Sequence, residues 1–393
     1  MPGDTPRRAL IIGAGPGGLS LAIALHRVGI EATVFERVRK IGTVGGGLGV
    51  QSNALRALMR LGIGDRLISA GSEVRVNEIH NSAGKLLFQL PQGEVADEYG
   101  APTIMVPRSE VQLALADALE EGVLQLESEC VGVEQDADGV TAHLADGRAE
   151  RGALLIGADG GYSLVRKHVY GAAEPPLRYA GIATWRAIVE MDDVVPAGSA
   201  KYYSGSGKQF VIFRAGGRRI YWGLLNTEPE GGKDPPEGVR ESLCELLGDF
   251  PAVTRTLIKA TNESNIVRTD LYDRDPVPNW VKGRVVLLGD AAHLTTPFIG
   301  QGAGISMEDS VVLAKELALT DGLRDQSMLG AALESYQRVR APRCAKVVLT
   351  SRRRGKLYMM SNPALMRVRD TVLPLVPHFA TREMVRRSIV YDV

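Results

Sequence analysis

ALIIGAGPGGLSLAIALHRVGIEATVFE, residues 9–36, holds the pattern from which the architecture follows. Ala9–Gly13 is a short apolar run that ends in glycine, as a buried parallel strand does. Leu19–Val28 has helical character, and Gly29 stands where a C-terminal helix cap is expected. Glu31–Glu36 reads as a second strand, so the stretch is the start of a βαβ unit. Its turn spells GxGxxG. Gly13 permits the tight turn, Gly15 lets the backbone approach a pyrophosphate, and Gly18 lets the helix pack closely on the strand. Glu36 ends the second strand, where a carboxylate accepts hydrogen bonds from an adenosine ribose. Pro16 and Arg37 stand beside these residues and join them as cofactor-binding candidates. The pattern indicates a dinucleotide and does not separate NAD from FAD.

Working outward, Asn53–Leu61 reads as an amphipathic helix ending at Gly62, and Val111–Leu119 as another. Residues 123–150 read as antiparallel strands with an Asp-Gly turn. Ala153–Gly157 and Arg284–Leu288 are two more buried strands that run into glycines. Residues 177–227 alternate in the strand manner, notably Lys208–Arg214 and Arg219–Asn226, joined by Gly216-Gly217. Gly231–Gly238 is a surface loop. The tail from Ala331 is helical and basic, with Arg352-Arg353-Arg354. The 393 residues suffice for two domains or one with a large insertion.

Lys+Arg and Asp+Glu both number 46, so bulk attraction to nucleic acid or an anionic membrane is not indicated. Cys130, Cys244 and Cys344 lie far apart, which argues against a disulfide framework or thiolate metal site and for a cytoplasmic protein. Arg7-Arg8 before an apolar run looks superficially like an export signal, but the glycines of that run are explained by nucleotide binding. No transmembrane helix is expected.

Two further motifs carry chemistry. GADGGYSLVR, residues 157–166, places Asp159 between a buried strand and a helix; alone it reads as a helix cap with turn glycines. GDAAH, residues 289–293, is followed by Pro297 and by GQGAG at 300–304. Asp290 after a strand can accept hydrogen bonds from ribityl hydroxyls. Gly300, Gly302, Ala303 and Gly304 open a helix whose N–H groups and dipole can face the anionic edge of a reduced flavin. His293 is read as a structural histidine rather than a general base.

With GxGxxG…Glu36, GADGGYSLVR and GRVVLLGDAAH…P…GQGAG in order over about residues 9–345, the chain resembles the flavoprotein aromatic hydroxylases, the para-hydroxybenzoate hydroxylase family. It looks closest to the shorter salicylate and urate hydroxylases and tetracycline-modifying monooxygenases. The resemblance implies an α/β fold: a Rossmann-like FAD-binding domain interleaved with a β-sheet substrate domain, plus C-terminal helices. It divides the chain into residues 1–75, 100–176 and 270–345 for FAD, 76–99 and 177–269 for substrate, and 346–393 as a helical tail. Non-covalent FAD is implied as cofactor, with Arg108 and Asp159 among its ligands, and NAD(P)H and O2 as co-substrates. In that chemistry NAD(P)H reduces the flavin, O2 adds to it as a C4a-hydroperoxide, and the distal oxygen goes to the substrate. No metal is needed, and the implied catalysis is centred on the flavin, with Arg186, Tyr221 and Pro297 as the candidate contributing residues. The implied substrate is a small aromatic molecule facing Arg186, Gln209, Val211 and Tyr221, with Pro297 and Phe298 on the flavin side. Trp185 and Trp222 alternate to the opposite, core face. The partner is therefore a small molecule and not nucleic acid, and the protein is a monomer or homodimer. An epoxidase or reductase of the same fold, or a non-catalytic FAD-binding protein, are the alternatives. The halogenase WxWxI motif is absent, since Trp185 is followed by Arg-Ala-Ile.

Overall fold

The computed structural model describes residues 7–42, 46–192, 194–320, 323 and 325–392. Two sheets organise them. The first has six strands in the spatial order Val281–Lys282, Val285–Leu287, Leu154–Gly157, Ala9–Ile12, Ala32–Phe35 and Leu124–Gln125. All its pairings are parallel except that of Val281–Lys282 with Val285–Leu287. Ala9–Ile12 and Leu154–Gly157 are buried throughout, as strands covered on both faces must be. The helix Pro16–Arg27 packs on this sheet, and the helix Gly302–Thr320 packs on that helix. All three glycine motifs follow carboxyl ends of its parallel strands, where ligands of such sheets bind.

The second sheet has nine strands. Its wall is built from Val267–Asp273, Arg178–Glu190, Arg219–Thr227, Lys208–Arg214, Gly198–Gly205 and Ser72–Asn81, in that order. Ile104–Pro107 and Gly47–Val50 extend it toward the first sheet. Period-2 alternation sets its two faces. Trp185, Phe210 and Trp222 point to one side, where they pack on helices Val239–Leu246 and Ala252–Ala260. Phe210 stacks on Trp222 at 5.8 Å, and the Trp222 indole donates to Thr261. Arg186, Val211 and Tyr221 take the other face. A three-stranded sheet, Cys130–Gln135, Val140–Leu144 and Ala149–Gly152, completes the β structure.

One expectation needs correction. Leu124–Gln125 is not part of the antiparallel set; it joins the parallel sheet beside Ala32–Phe35. The chain then turns at Glu127, with φ of 52°, and Ser128 N–H donates to the Glu36 carbonyl. Only from Cys130 does it pair antiparallel. The tail is helical as expected: Gln326–Tyr358, Pro363–Val372 and His378–Ile389. Among the described residues no helix is long and apolar enough to cross a membrane.

Candidate active site

A cavity of about 550 Å³ lies between the glycine motifs and the large sheet. On one side it is lined by Gly15–Gly18, Ala158, Gly160, Gly289, Asp290, Gly300, Gly302 and Ala303. The local folding follows from the sequence. Gly15 precedes the helix Pro16–Arg27 with no side-chain cap, and no acidic residue stands in the first turn. The free N–H groups and positive dipole end there suit an anion. A Cβ built on Gly15 meets no atom within 4 Å, so the loop presents bare backbone to open space. At Gly18 a Cβ would collide with the Gly13 carbonyl oxygen, which is the close helix–strand approach expected of that glycine. Gly13 adopts φ of 107°, a turn conformation that favours glycine.

Several predicted residues sit just outside the cavity lining. Gly13 is turned toward Ala158. Glu36 braces the glycine loop: its carboxylate accepts from Ala14 N–H at 2.7 Å and Val38 N–H at 3.1 Å. Arg37 is exposed. Asp159 faces the helix Leu164–Tyr170, accepting from Ser163 Oγ at 2.5 Å and Val165 N–H at 3.1 Å. Burial pushes its carboxyl upward against those hydrogen bonds. Gly304 faces Gln301 and Asn53 rather than the cavity. Arg108, which opens the helix Arg108–Ala116, does line it.

The opposite wall comes from the large sheet. Arg186, Gln209, Val211 and Tyr221 all line the cavity, and Pro297 and Phe298 close one end. Arg186 donates to Thr269 Oγ1 at 2.8 Å, and burial lowers its readiness to hold a charge. Tyr221 stacks on Phe213 at 4.4 Å. Gln209 is tethered to Ser204, with its amide donating at 3.0 Å. Burial raises the hydroxyls of Tyr202, Tyr221 and Tyr358 above the usual phenol range, so they are neutral donors at neutral pH.

Sequence reasoning missed part of this lining. Gly47 lies against the Phe213–Tyr221 pair, and a Cβ there would meet both rings at 2.7 Å. The glycine-dense run at 45–49 was its available signal. Tyr202, Arg354, Tyr358, Met384 and Val385 also line the cavity, the last four from the C-terminal helices. Nothing local marks them.

Buried polar ties hold the motifs in place. Arg166 of the second motif donates to the carbonyls of Ala291 and Ala292 in the third, at 2.8 and 3.2 Å. Gln301 bonds Gln51 and Asn53 behind the glycine loop. Asp309 accepts from Gly289 N–H and pairs with His293 at 2.6 Å and Arg340 at 2.7 Å. Burial penalises the Asp309 charge, but His293 and Arg340 outweigh it and hold the carboxyl at about 2. His293, Asp309 and Cys344 have metal-ligand chemistry and lie close together, but the Arg340 guanidinium already supplies the cation there. His293 is a structural member of this cluster.

Comparison with known proteins agrees with the geometry. A family model described as an FAD binding domain matches residues 7–351. The aurachin C monooxygenase/isomerase of Stigmatella aurantiaca is 36% identical over 382 residues, 97% of each chain. An FAD-dependent urate hydroxylase of Klebsiella pneumoniae is 34% identical over 349 residues, covering 88% of this chain and 89% of that protein. The solved structure of Klebsiella pneumoniae HpxO with FAD and uric acid superposes with a TM-score of 0.89 at 30% identity, covering 97% of each chain.

Proposed function

The chain belongs to the FAD-binding-domain family of flavoprotein hydroxylases, and on that premise we propose that it uses NAD(P)H and O2 to insert one oxygen atom into an aromatic or similarly electron-rich small molecule. The observation that carries this reading is the continuity of one cavity. Bare glycine backbone and two helix starts form one side, and an aromatic and polar strand wall forms the other.

The residues present fit FAD. Gly15 offers an open cradle at the start of the helix Pro16–Arg27, where a pyrophosphate would meet free N–H groups. Asp290 and Arg108 line the same cavity and would take the ribityl chain and its surroundings. Glu36, already fixed to the glycine loop, would accept from the ribose. In this reading residues 1–75, 100–176 and 270–345 hold FAD, and 76–99 with 177–269 hold the substrate. Bound FAD supplies the electron transfer from NAD(P)H and the oxygen activation.

The chain's own residues bind, orient and exclude water. Arg186 would pair with an ionised ring oxygen, which offsets the cost of its burial. Tyr221, a neutral phenol against Phe213, would donate a hydrogen bond and stack. Leu225, Leu271 and Phe298 keep the ring's surroundings dry. The three cysteines are free, which supports a cytoplasmic setting.

With ¹⁸O2 the product should gain one labelled oxygen, and NAD(P)H oxidation should rise when substrate is added. Label from water, or product without O2, would sink the monooxygenase reading. Arg186→Ala and Tyr221→Phe should each lower kcat/KM about 10–100-fold, the scale of a lost hydrogen bond to a charged group. Normal turnover by both would discard the pocket and spare the reaction.

Gly302 offers a separate test. A Cβ there makes only ordinary contact, with Thr295 Cγ2 at 3.5 Å. Gly302→Val should therefore keep its stability within about 1 kcal/mol while its branched side chain intrudes on the flavin edge. We expect a shifted flavin absorption spectrum and slowed reduction by NAD(P)H. Wild-type spectra and reduction rates would show that this loop lies away from the ring.

A further inference from the structure

The segment after the long helix exposes apolar side chains that no described residue covers. Leu365, Val368 and Val372 follow helical spacing along Pro363–Val372 and are 53%, 59% and 52% exposed. Leu375 and Phe379, just beyond, are each 75% exposed, more than any other large apolar side chain described. From residue 361 to 380 only Arg369 is buried. Single exposed apolar residues are ordinary, but a contiguous set with this exposure marks an interaction surface.

Charge accompanies the apolar set. Residues 351–393 contain nine Lys and Arg against three Asp and Glu, a formal +6 in a chain whose total is zero. Part of that charge is used internally: Arg352 pairs with Asp273 and Asp275, and Arg382 with Glu94 and Glu98. Arg353, Lys356 and Arg367 have no acidic partner within ion-pair distance among the described residues. Arg386 and Arg387 share the single carboxylate of Glu383 and are largely exposed.

We propose that this face docks on an anionic lipid bilayer as a peripheral contact. Apolar side chains flanked by guanidinium groups match the two chemistries of such a surface, acyl chains below and acidic headgroups above. A second copy of the chain fits less well, because a two-fold contact would press two segments of like charge together. The helices on either side of this segment supply part of the cavity lining, Arg354 and Tyr358 before it and Met384, Val385 and Ser388 after it. The inference stands on the exposed face and its charge, independent of the reaction.

Sedimentation of the FAD-loaded protein with vesicles tests it. With equal parts phosphatidylcholine and phosphatidylglycerol at low salt, the protein should pellet. It should pellet much less with phosphatidylcholine alone or at high salt. Leu375→Asp with Phe379→Asp should weaken vesicle binding about tenfold or more, with FAD absorbance and unfolding midpoint retained. Arg367→Glu, a fully surface change, should weaken it severalfold. Wild-type protein left in the supernatant with the acidic vesicles overturns the proposal. So does pelleting unaffected by these substitutions. Sedimentation velocity gives the remaining outcome: a wild-type dimer that the Asp variants split, with no vesicle binding, makes the face a self-association surface and also overturns it.

Discussion

Gly18→Val is expected to lose the folded protein, while Gly15→Ala is expected to fold and lose FAD. The two glycines are three residues apart in one motif and differ in what a side chain would meet. At Gly18 the obstacle is the Gly13 carbonyl, with the Ala158 Cβ at 3.3 Å behind it. Neither can retreat, because Gly13 N–H is bonded to the Phe35 carbonyl and Ala158 N–H to the Ile12 carbonyl, each at 2.8 Å. Overpacking against fixed backbone costs about 3 kcal/mol or more, a large part of the roughly 5–15 kcal/mol that holds a domain together. At Gly15 the added methyl meets nothing, and φ of −70° suits any residue. The change should alter stability by about 1 kcal/mol or less, the scale of a helix-cap substitution. It should weaken FAD binding at least about tenfold, or 1.4 kcal/mol, by filling the cradle. Urea denaturation and FAD titration check the pair. A stable Gly18→Val would refute the packing argument, and unchanged FAD affinity in Gly15→Ala would move the pyrophosphate elsewhere.

Arg340→Met should cost about 3–5 kcal/mol, the usual loss when one partner of a buried ion pair is removed. Arg340 is fully buried and reaches Glu308 and Asp309 at 2.7 Å each. Its loss leaves two buried carboxylates with only Arg343, at 3.3 Å, and His293, at 2.6 Å, as counter-charges. The deficit should depend on pH. In the wild type Asp309 is held at about 2, below its ordinary value, so its contribution is present at neutral pH and fades only as pH falls toward that value. In the variant Arg340 no longer offsets the burial penalty on Asp309, so that carboxyl rises above its unfolded value. The folded variant then binds more protons than the unfolded chain, and its stability falls as pH rises. Melting temperatures at pH 5 and 7.5 should show a smaller deficit at the lower pH. A loss under about 1 kcal/mol, independent of pH, would mean that this cluster is not what anchors the Gly289 turn.

The same two regions divide what could be read in advance from what could not. The first βαβ unit was legible because its constraints are local. A glycine at positive φ, a backbone needing close approach and an apolar run too short for a helix are each written in adjacent residues. The alternation of Arg186 and Tyr221 against Trp185 and Trp222 was legible for the same reason, since strand periodicity assigns faces without knowing the partner strand. The edge strand Leu124–Gln125 was misread because direction of pairing depends on which neighbour arrives, not on the strand's own residues.

By itself the sequence determined the glycine turns, the order of buried strands, the two faces of the wall and the likeness of three motifs to a flavoprotein family. Tertiary structure alone decided the rest. It turned Glu36 to brace the glycine loop. It set Arg340 against Asp309 across 31 residues, and Arg166 against Ala291 across 125. It brought Met384 and Val385 from the tail into the cavity, and it left the apolar side chains of Leu375 and Phe379 uncovered beside the basic tail. The physical reason is the range of the forces involved. Backbone conformation is settled within a few residues, whereas burial of a charge or exposure of an apolar side chain depends on distant groups that only the folded chain brings near.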